Sequence, residues 1–411
     1  MSSSRFIVRS LVFHRRIHVA VALGVMAATA VLTGALLVGD SVRGSLRHLT
    51  LDRLGRIDAA LVTPRFFRAA LAEEISAYRD AERPEARIIA RPAILLQATV
   101  AHGSGAARRS AGQVAVIGCS DGFWDFDPAG PHPRLESGQI VLNESLAEKL
   151  GAKVGDNVIV RLPLPGDIPA ESALGRKTET VRSLPALKIS AIIPATGLGR
   201  FGLRPTQQLP YNAYVALATL QKALDQPDRV NAILAGIDRP SDSPPAADDE
   251  LLQRALHPKL ADYGLSLRET PRGYFNLATD RMMLDEPIER AAQRAFGDLD
   301  GQPTFTYLAN YILASNGKAK IPYSTVTALD IRSKPPLGPF LDRENKEIEP
   351  LKDDEIVLNS WAAVDMATQG AKLKRGDTVQ IQYFEPESLH GEARERTASF
   401  RLKSIVELDG A

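Results

Sequence analysis

The sequence predicts an α+β protein. One N-terminal transmembrane helix and stalk precede a two-lobed, mixed α/β extracytoplasmic domain with repeated β-α-β units. Three observations predict it. Val19 to Gly39 is a run of 21 residues without a charge. A strand-helix-strand unit over Gln139 to Leu162 returns over Glu355 to Phe384. The remaining strands and helices do not alternate regularly, which separates α+β from a doubly wound sheet.

The 411 residues are 44% hydrophobic and 24% charged, with a net charge of +1 and one cysteine. That length favours two or three domains. A near-neutral balance gives no general attraction to nucleic acid. The lone Cys119 excludes an intramolecular disulfide and any CxxC site. A mean hydropathy of −0.11 excludes a polytopic membrane protein but allows one span.

The chain divides into a basic tail (1–18), a transmembrane helix (19–39), a stalk with the first lobe (40–240) and a second lobe (250–411). The span, at about 1.5 Å per residue, reaches the roughly 30 Å of a hydrocarbon core. Arg5, Arg9, Arg15 and Arg16 precede it and Asp40 follows. That asymmetry predicts a cytoplasmic N-terminus and an outer bulk that is mildly acidic. Ala28-Thr29-Ala30 resembles a signal-peptide cleavage site but lies inside the run, so an uncleaved anchor is expected. Small residues recur at four-residue spacing: Ala20, Gly24 and Ala28, then Ala30 and Gly34. Such faces let helices pack closely in lipid, and these five residues are the expected contacts with partner helices.

Asp40 to Leu61 keeps helical spacing of apolar residues, interrupted by Gly44 and Gly55, and reads as a stalk. Pro64 predicts another helix over roughly Arg65 to Arg79. Strand signals follow at Arg87 to Val100, split by Pro92, at Gln113 to Gly118, and at Phe123 to Phe126 before a turn. In the repeated unit, Asn143 is an N-cap, Gly151 ends the helix, and Gly155-Asp156 turns into a strand. Asn359 and Gly376-Asp377 stand in the same places in the second copy. Apolar strands at Leu187 to Pro194 and Phe400 to Leu408 follow the respective copies. Asp238 to Glu250 is a Pro/Ser/Asp linker. Helices are expected at Leu251 to Leu260 and Pro287 to Phe296, and strands at Thr304 to Leu313 and Ser324 to Leu329.

No constellation of catalytic residues stands out. Gly197 to Gly202 matches GxGxxG, but Pro205 follows where a phosphate-binding helix should start, so a flexible loop is expected. Ser315 to Lys318 matches SxxK without the motifs that accompany it in serine–lysine enzymes. The histidines form no HExxH pair, and no P-loop is present. The expectation is no catalytic residue, no metal and no cofactor.

The order of these features resembles the N-terminal part of an ABC transporter permease of the FtsX/MacB-like family, with its MacB-like periplasmic core domain. The resemblance rests on Val19 to Arg47, Val114 to Gly118, Gln139 to Leu162, Leu187 to Gln221 and Glu355 to Leu408. It implies a non-enzymatic membrane protein, single-pass in the inner membrane, with most of the chain periplasmic or extracellular. A separate cytoplasmic ABC ATPase is its implied partner, with other permease helices, a dimeric assembly and no nucleic acid. The basic segment carrying Phe6, Ile7, Leu11 and Phe13 resembles the family's interfacial helix. The family has three further spans that these 411 residues lack, so the expectation is a truncated or split permease subunit. The alternative is a stand-alone membrane-anchored binding or interaction module. A secreted hydrolase is the third class, without a nucleophile to support it.

Overall fold

The computed structural model describes residues 3–105, 108–163, 181–204, 208–238, 246–271, 273–280, 284–299, 301–314, 317, 319–331, 338–384 and 395–407. Two helices open the chain, α1 (Ser3–Phe13) and α2 (Arg15–Leu54), parted at His14. α2 runs 40 residues without a break, through Gly44, and ends at Gly55. It is the one helix among the described residues long and apolar enough to cross a membrane. The Thr29 hydroxyl donates to the Val25 carbonyl at 2.8 Å, so it is satisfied within the helix itself.

The first unit then alternates β1 (Ala59–Arg68), α3 (Ala70–Ala77), β2 (Arg87–His102) and β3 (Arg109–Cys119). β4 (Gln139–Asn143), α4 (Glu144–Leu150), β5 (Asn157–Pro163), β6 (Val181–Ser183) and β7 (Leu187–Ile193) follow. It closes with β8 (Asn212–Ala216), α5 (Leu217–Ala223), β9 (Arg229–Asp238) and α6 (Ala246–Ala255). The sheet order is β1-β9-β2-β3-β8-β4-β7-β5-β6. β2 is long enough to serve two neighbourhoods. Arg87 to Ala93 pair with β9, and Ile94 to His102 with β3. Thr99 to His102 also pair with β5, so β3-β2-β5-β7-β4-β8 close into a ring of six strands. Val100, Ile140, Leu142, Val158, Val160 and Ile189 are fully buried. Each such side chain is worth about 1.5–3 kcal/mol on burial. A second core gathers Ile57, Phe123, Trp124, Phe126, Leu198, Phe201 and Tyr214.

The second unit holds β10 (Leu265–Glu269) paired with β11 (Phe275–Thr279), and α7 (Glu286–Phe296). Its main sheet has β12 (Phe305–Ala314), β13 (Lys320–Ala328), β14 (Glu355–Asn359), β15 (Thr378–Phe384) and β16 (Glu395–Val406). Their order is β13-β12-β15-β16-β14. α8 (Ser360–Thr368) follows β14 and seats Met366 in a core with Ile312, Leu358, Val379, Ile381 and Leu402.

Four local expectations change. Pro64 does not open a helix; it lies in edge strand β1, where pairing with β9 shifts between Val62 and Phe67. An edge irregularity is where a strand tolerates a residue without an N–H. Pro92 does not split its strand: it faces Ile233 just where β2 passes from β9 to β3. Phe123 to Phe126 form a 3₁₀ turn (Asp121–Phe126), which sends three aromatic rings into one core. Finally, α6 belongs with the first unit, so the break comes after His257 rather than at 240–250. Leu251 and Ala255 are buried, and Arg254 reaches Asp80 at 3.2 Å and Glu82 at 2.6 Å. Within the linker, residues 239–245 lie outside the described residues, as do Ser315, Asn316 and Lys318 of the SxxK match.

Candidate functional site: the stalk joint

The C-terminal end of α2 is tied to the rest of the first unit by backbone groups as well as side chains. Gly55 has φ +55°, and a Cβ there would meet the Phe126 carbonyl. One residue later, the Arg56 N–H donates to that carbonyl at 2.7 Å, and its guanidinium pairs with Asp238 at 2.7 Å. Asp58 accepts from the Ile237 N–H at 2.8 Å while its own N–H donates to Ala235. Ile57 is in the aromatic core, with Leu54 packed against it. Arg53 is buried in the last helical turn, where a cation is favoured by the helix dipole.

The GxGxxG segment is the other half of this joint. It forms a 3₁₀ turn (Gly197–Arg200), not the flexible loop that its composition predicts. The Gly197 N–H donates to Asp52 of α2 at 3.2 Å, and the Leu198 N–H to Asp127 at 3.3 Å. Leu198 and Phe201 are buried. Gly199 is required by close approach, since a Cβ would run into the Pro194 carbonyl. The Tyr214 hydroxyl donates to the Leu198 carbonyl, and burial pushes its phenol pKa up. A helix does not begin at this turn, so its amides are spent on the stalk and the core rather than aimed at a phosphate.

Asn143 links the joint to the ring. Its Oδ1 accepts from the Leu146 N–H at 3.1 Å, capping α4, and from the Asn212 N–H at 3.1 Å. Its Nδ2 donates to the Gly199 carbonyl at 3.0 Å and the Pro210 carbonyl at 2.7 Å. Thus one buried amide holds a helix start, a strand start and the turn that receives α2.

The other residues singled out by the repeat fall in matched places. Gly155 and Gly376 have φ +96° and +94°. Asp156 accepts from the Lys153 N–H at 2.8 Å, and Asp377 from the Lys374 N–H at 2.7 Å. Gly155 donates to Ile189 at 2.8 Å, and Gly376 to Leu402 at 2.7 Å. Asn359 caps α8 through the Ala362 N–H at 2.8 Å. Ala20, Gly24, Ala28, Ala30 and Gly34 all lie on α2, exposed, and nothing stands within 4 Å of where a Cβ would be at Gly24 or Gly34. Sequence patterns pass over Asp52, Arg56 and Asp127, because isolated aspartates and arginines on a helix or loop carry no periodic signal. No group of three or more His, Cys, Asp or Glu among the described residues could hold a metal ion.

A comparison with known families matches residues 19–253 to the family described as MacB-like periplasmic core domain. No curated protein matches. Two solved structures share partial likeness. The periplasmic region of MacB from Actinobacillus actinomycetemcomitans is 14% identical, with a TM-score of 0.28, over 55% of this chain and 83% of that one. The extracellular domain of the noncanonic ABC-type transporter YknZ from Gram-positive bacteria is 12% identical, with a TM-score of 0.27, over 47% and 84%. Neither overlay is close enough to carry residue roles across.

Proposed function

From the premise that this chain belongs to the MacB-like periplasmic core domain family, matched over residues 19–253, we propose that it is a permease component of an ABC transporter. The family is one of transporter permease components, not enzymes. In this reading a cytoplasmic ABC ATPase drives α2, and α2 passes the motion to the outer domain. Partner spans pack on the small-residue face of Ala20, Gly24 and Ala28, and on Ala30 and Gly34. They come from another chain or from residues beyond these 411. The N-terminus is cytoplasmic, and the lobes lie outside.

The observation that carries this reading is the continuity of α2 from its membrane run into a joint made of backbone hydrogen bonds and a buried core. A flexible tether would serve an anchor; a helix fixed at Asp52, Gly55 and Arg56 serves transmission.

Two measurements test it. Affinity purification of the chain from mild detergent should recover an ABC ATPase and permease helices. Gly24→Leu should cut that recovery several-fold. If the wild-type chain recovers neither, the permease reading fails and the anchored binding module takes its place. Topology is read by cysteine labelling. Cys119 is buried with its pKa raised above the ordinary thiol value by desolvation, so it leaves a silent background. Ser45→Cys should react with an impermeant maleimide on intact cells, and Ser10→Cys only after permeabilisation. The reverse pattern overturns the topology.

A further inference from the structure

The repeat supplies an internal control for one exposed helix face. α4 and α8 start from the same cap, Asn143 and Asn359, so their residues match by offset. Each turns the same side inward: Leu146, Ala147 and Leu150 are buried in α4, and Ala363 and Met366 in α8. The outward sides differ. In α4, Ser145 is half-buried and Glu148 and Lys149 are exposed, a polar face as solvent favours. In α8 the same positions hold Trp361, Val364 and Asp365. Trp361 is 75% exposed and Val364 55%. In the first unit Glu148 and Lys149 stay exposed with β8, α5 and β9 all in place. The repeat therefore leaves this side of the helix to solvent, and a tryptophan there belongs to no core of this fold.

The loop that leaves α8 supplies a separate observation. Between Ala152 and Gly155 stand Lys153 and Val154, whereas between Ala371 and Gly376 stand Lys372, Leu373, Lys374 and Arg375. Lys372, Lys374 and Arg375 are exposed, and among the described residues none of the three side chains has an ion-pair partner. The outward face of α8 and this loop thus hold three exposed cations against one exposed acid, Asp365. The second copy has gained apolar surface and positive charge side by side, where the first copy has neither.

Size and charge choose the occupant. A tryptophan side chain buries at most about 250 Å², so Trp361 and Val364 fall well short of the roughly 800 Å² per partner that a stable protein interface takes. A bilayer surface needs less. Tryptophan settles at the headgroup layer, and lysine and arginine beside it reach the phosphates. The charge of the loop complements anionic lipid in the same way. The chain also carries, in α2, a helix long and apolar enough to cross a bilayer. A surface tethered to the bilayer by its own span needs only a weak contact, because the tether supplies the effective concentration. We propose that the outward face of α8, with Trp361 and Val364, docks on the headgroup layer of the bilayer that α2 crosses, and that Lys372, Lys374 and Arg375 meet anionic phospholipid there. Only the span is taken from the permease reading, so failure here leaves recovery of the ATPase unchanged.

The test uses the full chain in nanodiscs and its two tryptophans, of which Trp124 is buried. Lipids brominated on their acyl chains quench an indole ring that touches them. In discs of brominated phosphatidylcholine and phosphatidylglycerol, the Trp361 emission, obtained by subtracting a Trp361→Phe variant, should fall at least twofold against ordinary lipid. Trp124 should not respond. Discs of phosphatidylcholine alone should cut that quenching severalfold, and so should a variant combining Lys372→Gln, Lys374→Gln and Arg375→Gln. Hydrogen exchange over α8 checks that this variant is folded. Equal Trp361 emission in brominated and ordinary discs overturns the proposal. Quenching that ignores both phosphatidylglycerol and the three cations overturns the assignment to anionic lipid. A Trp361 shift that appears in detergent with rising protein concentration, and not with lipid, overturns the bilayer as occupant and assigns the face to a second copy.

Discussion

Asn143 and Asn359 begin the same sentence in two different contexts. Both follow a strand of Ile-Val-Leu, both cap a short helix, and both precede a Gly-Asp turn locked by the same hydrogen bonds. Yet among the described residues one amide is buried with four partners and the other is half-buried with one. Among the described residues, cap, turn and parallel strand recur in the second unit without a counterpart of β8. In the first unit β8 adds burial, and with it goes the turn at Gly197 to Arg200 that grips the end of α2.

The sharpest way to break the comparison is to delete both amides. Asn143→Ala removes a cap and strands the buried Gly199 carbonyl and the half-buried Pro210 carbonyl, a loss of about 4 kcal/mol. Asn359→Ala removes a cap alone, about 1 kcal/mol. Denaturant melts of the full chain in detergent, in a Trp361→Phe background, read from Trp124 for the first unit and by hydrogen exchange over β14 and α8 for the second, compare them. Equal losses would mean that the two amides carry equal loads. Next, Gly199→Ala should cost about 2–3 kcal/mol by overpacking against Pro194. Its exchange signature should appear at the C-terminal end of α2 and spare the second unit.

The smallest effect separates the units by pH. Glu355 replaces Gln139, and its carboxyl is held below the ordinary glutamate range by the Lys352 N–H first and by Lys403, at 3.0 Å, next. A lowered pKa gives a contribution present above the unfolded value and lost as pH falls through the folded one. Acid should therefore loosen the second unit slightly before the first. Glu355→Gln should remove that difference in exchange rates between pH 5 and pH 3.

Much of this was legible because it is local. A run of 21 uncharged residues and a strand-cap-helix-turn pattern are short-range signals, and α2, α4 and α8 follow from them. The ring was not legible, since pairing His102 with Val158 is a long-range choice that no window of sequence contains. The Gly197 turn was misread for a related reason. Glycine and proline announce irregular backbone, but whether it is loose or buried depends on Asn143, Tyr214 and Asp52 coming from elsewhere. Pro64 misled because a helix start and an edge-strand irregularity share its chemistry.

The unbroken run of α2 has a mechanical consequence. From the middle of the membrane run near Thr29 to Leu54 is 25 residues, or about 37 Å of helix. Tilting that rod by about 10° around the bilayer midplane swings its outer end by roughly 6 Å, more than one full turn's rise. Hydrogen bonds near 3 Å cannot stretch that far, so the first unit must travel with the tip. In the permease reading proposed above, about 10° of rocking therefore reaches the first unit as a displacement of roughly 6 Å.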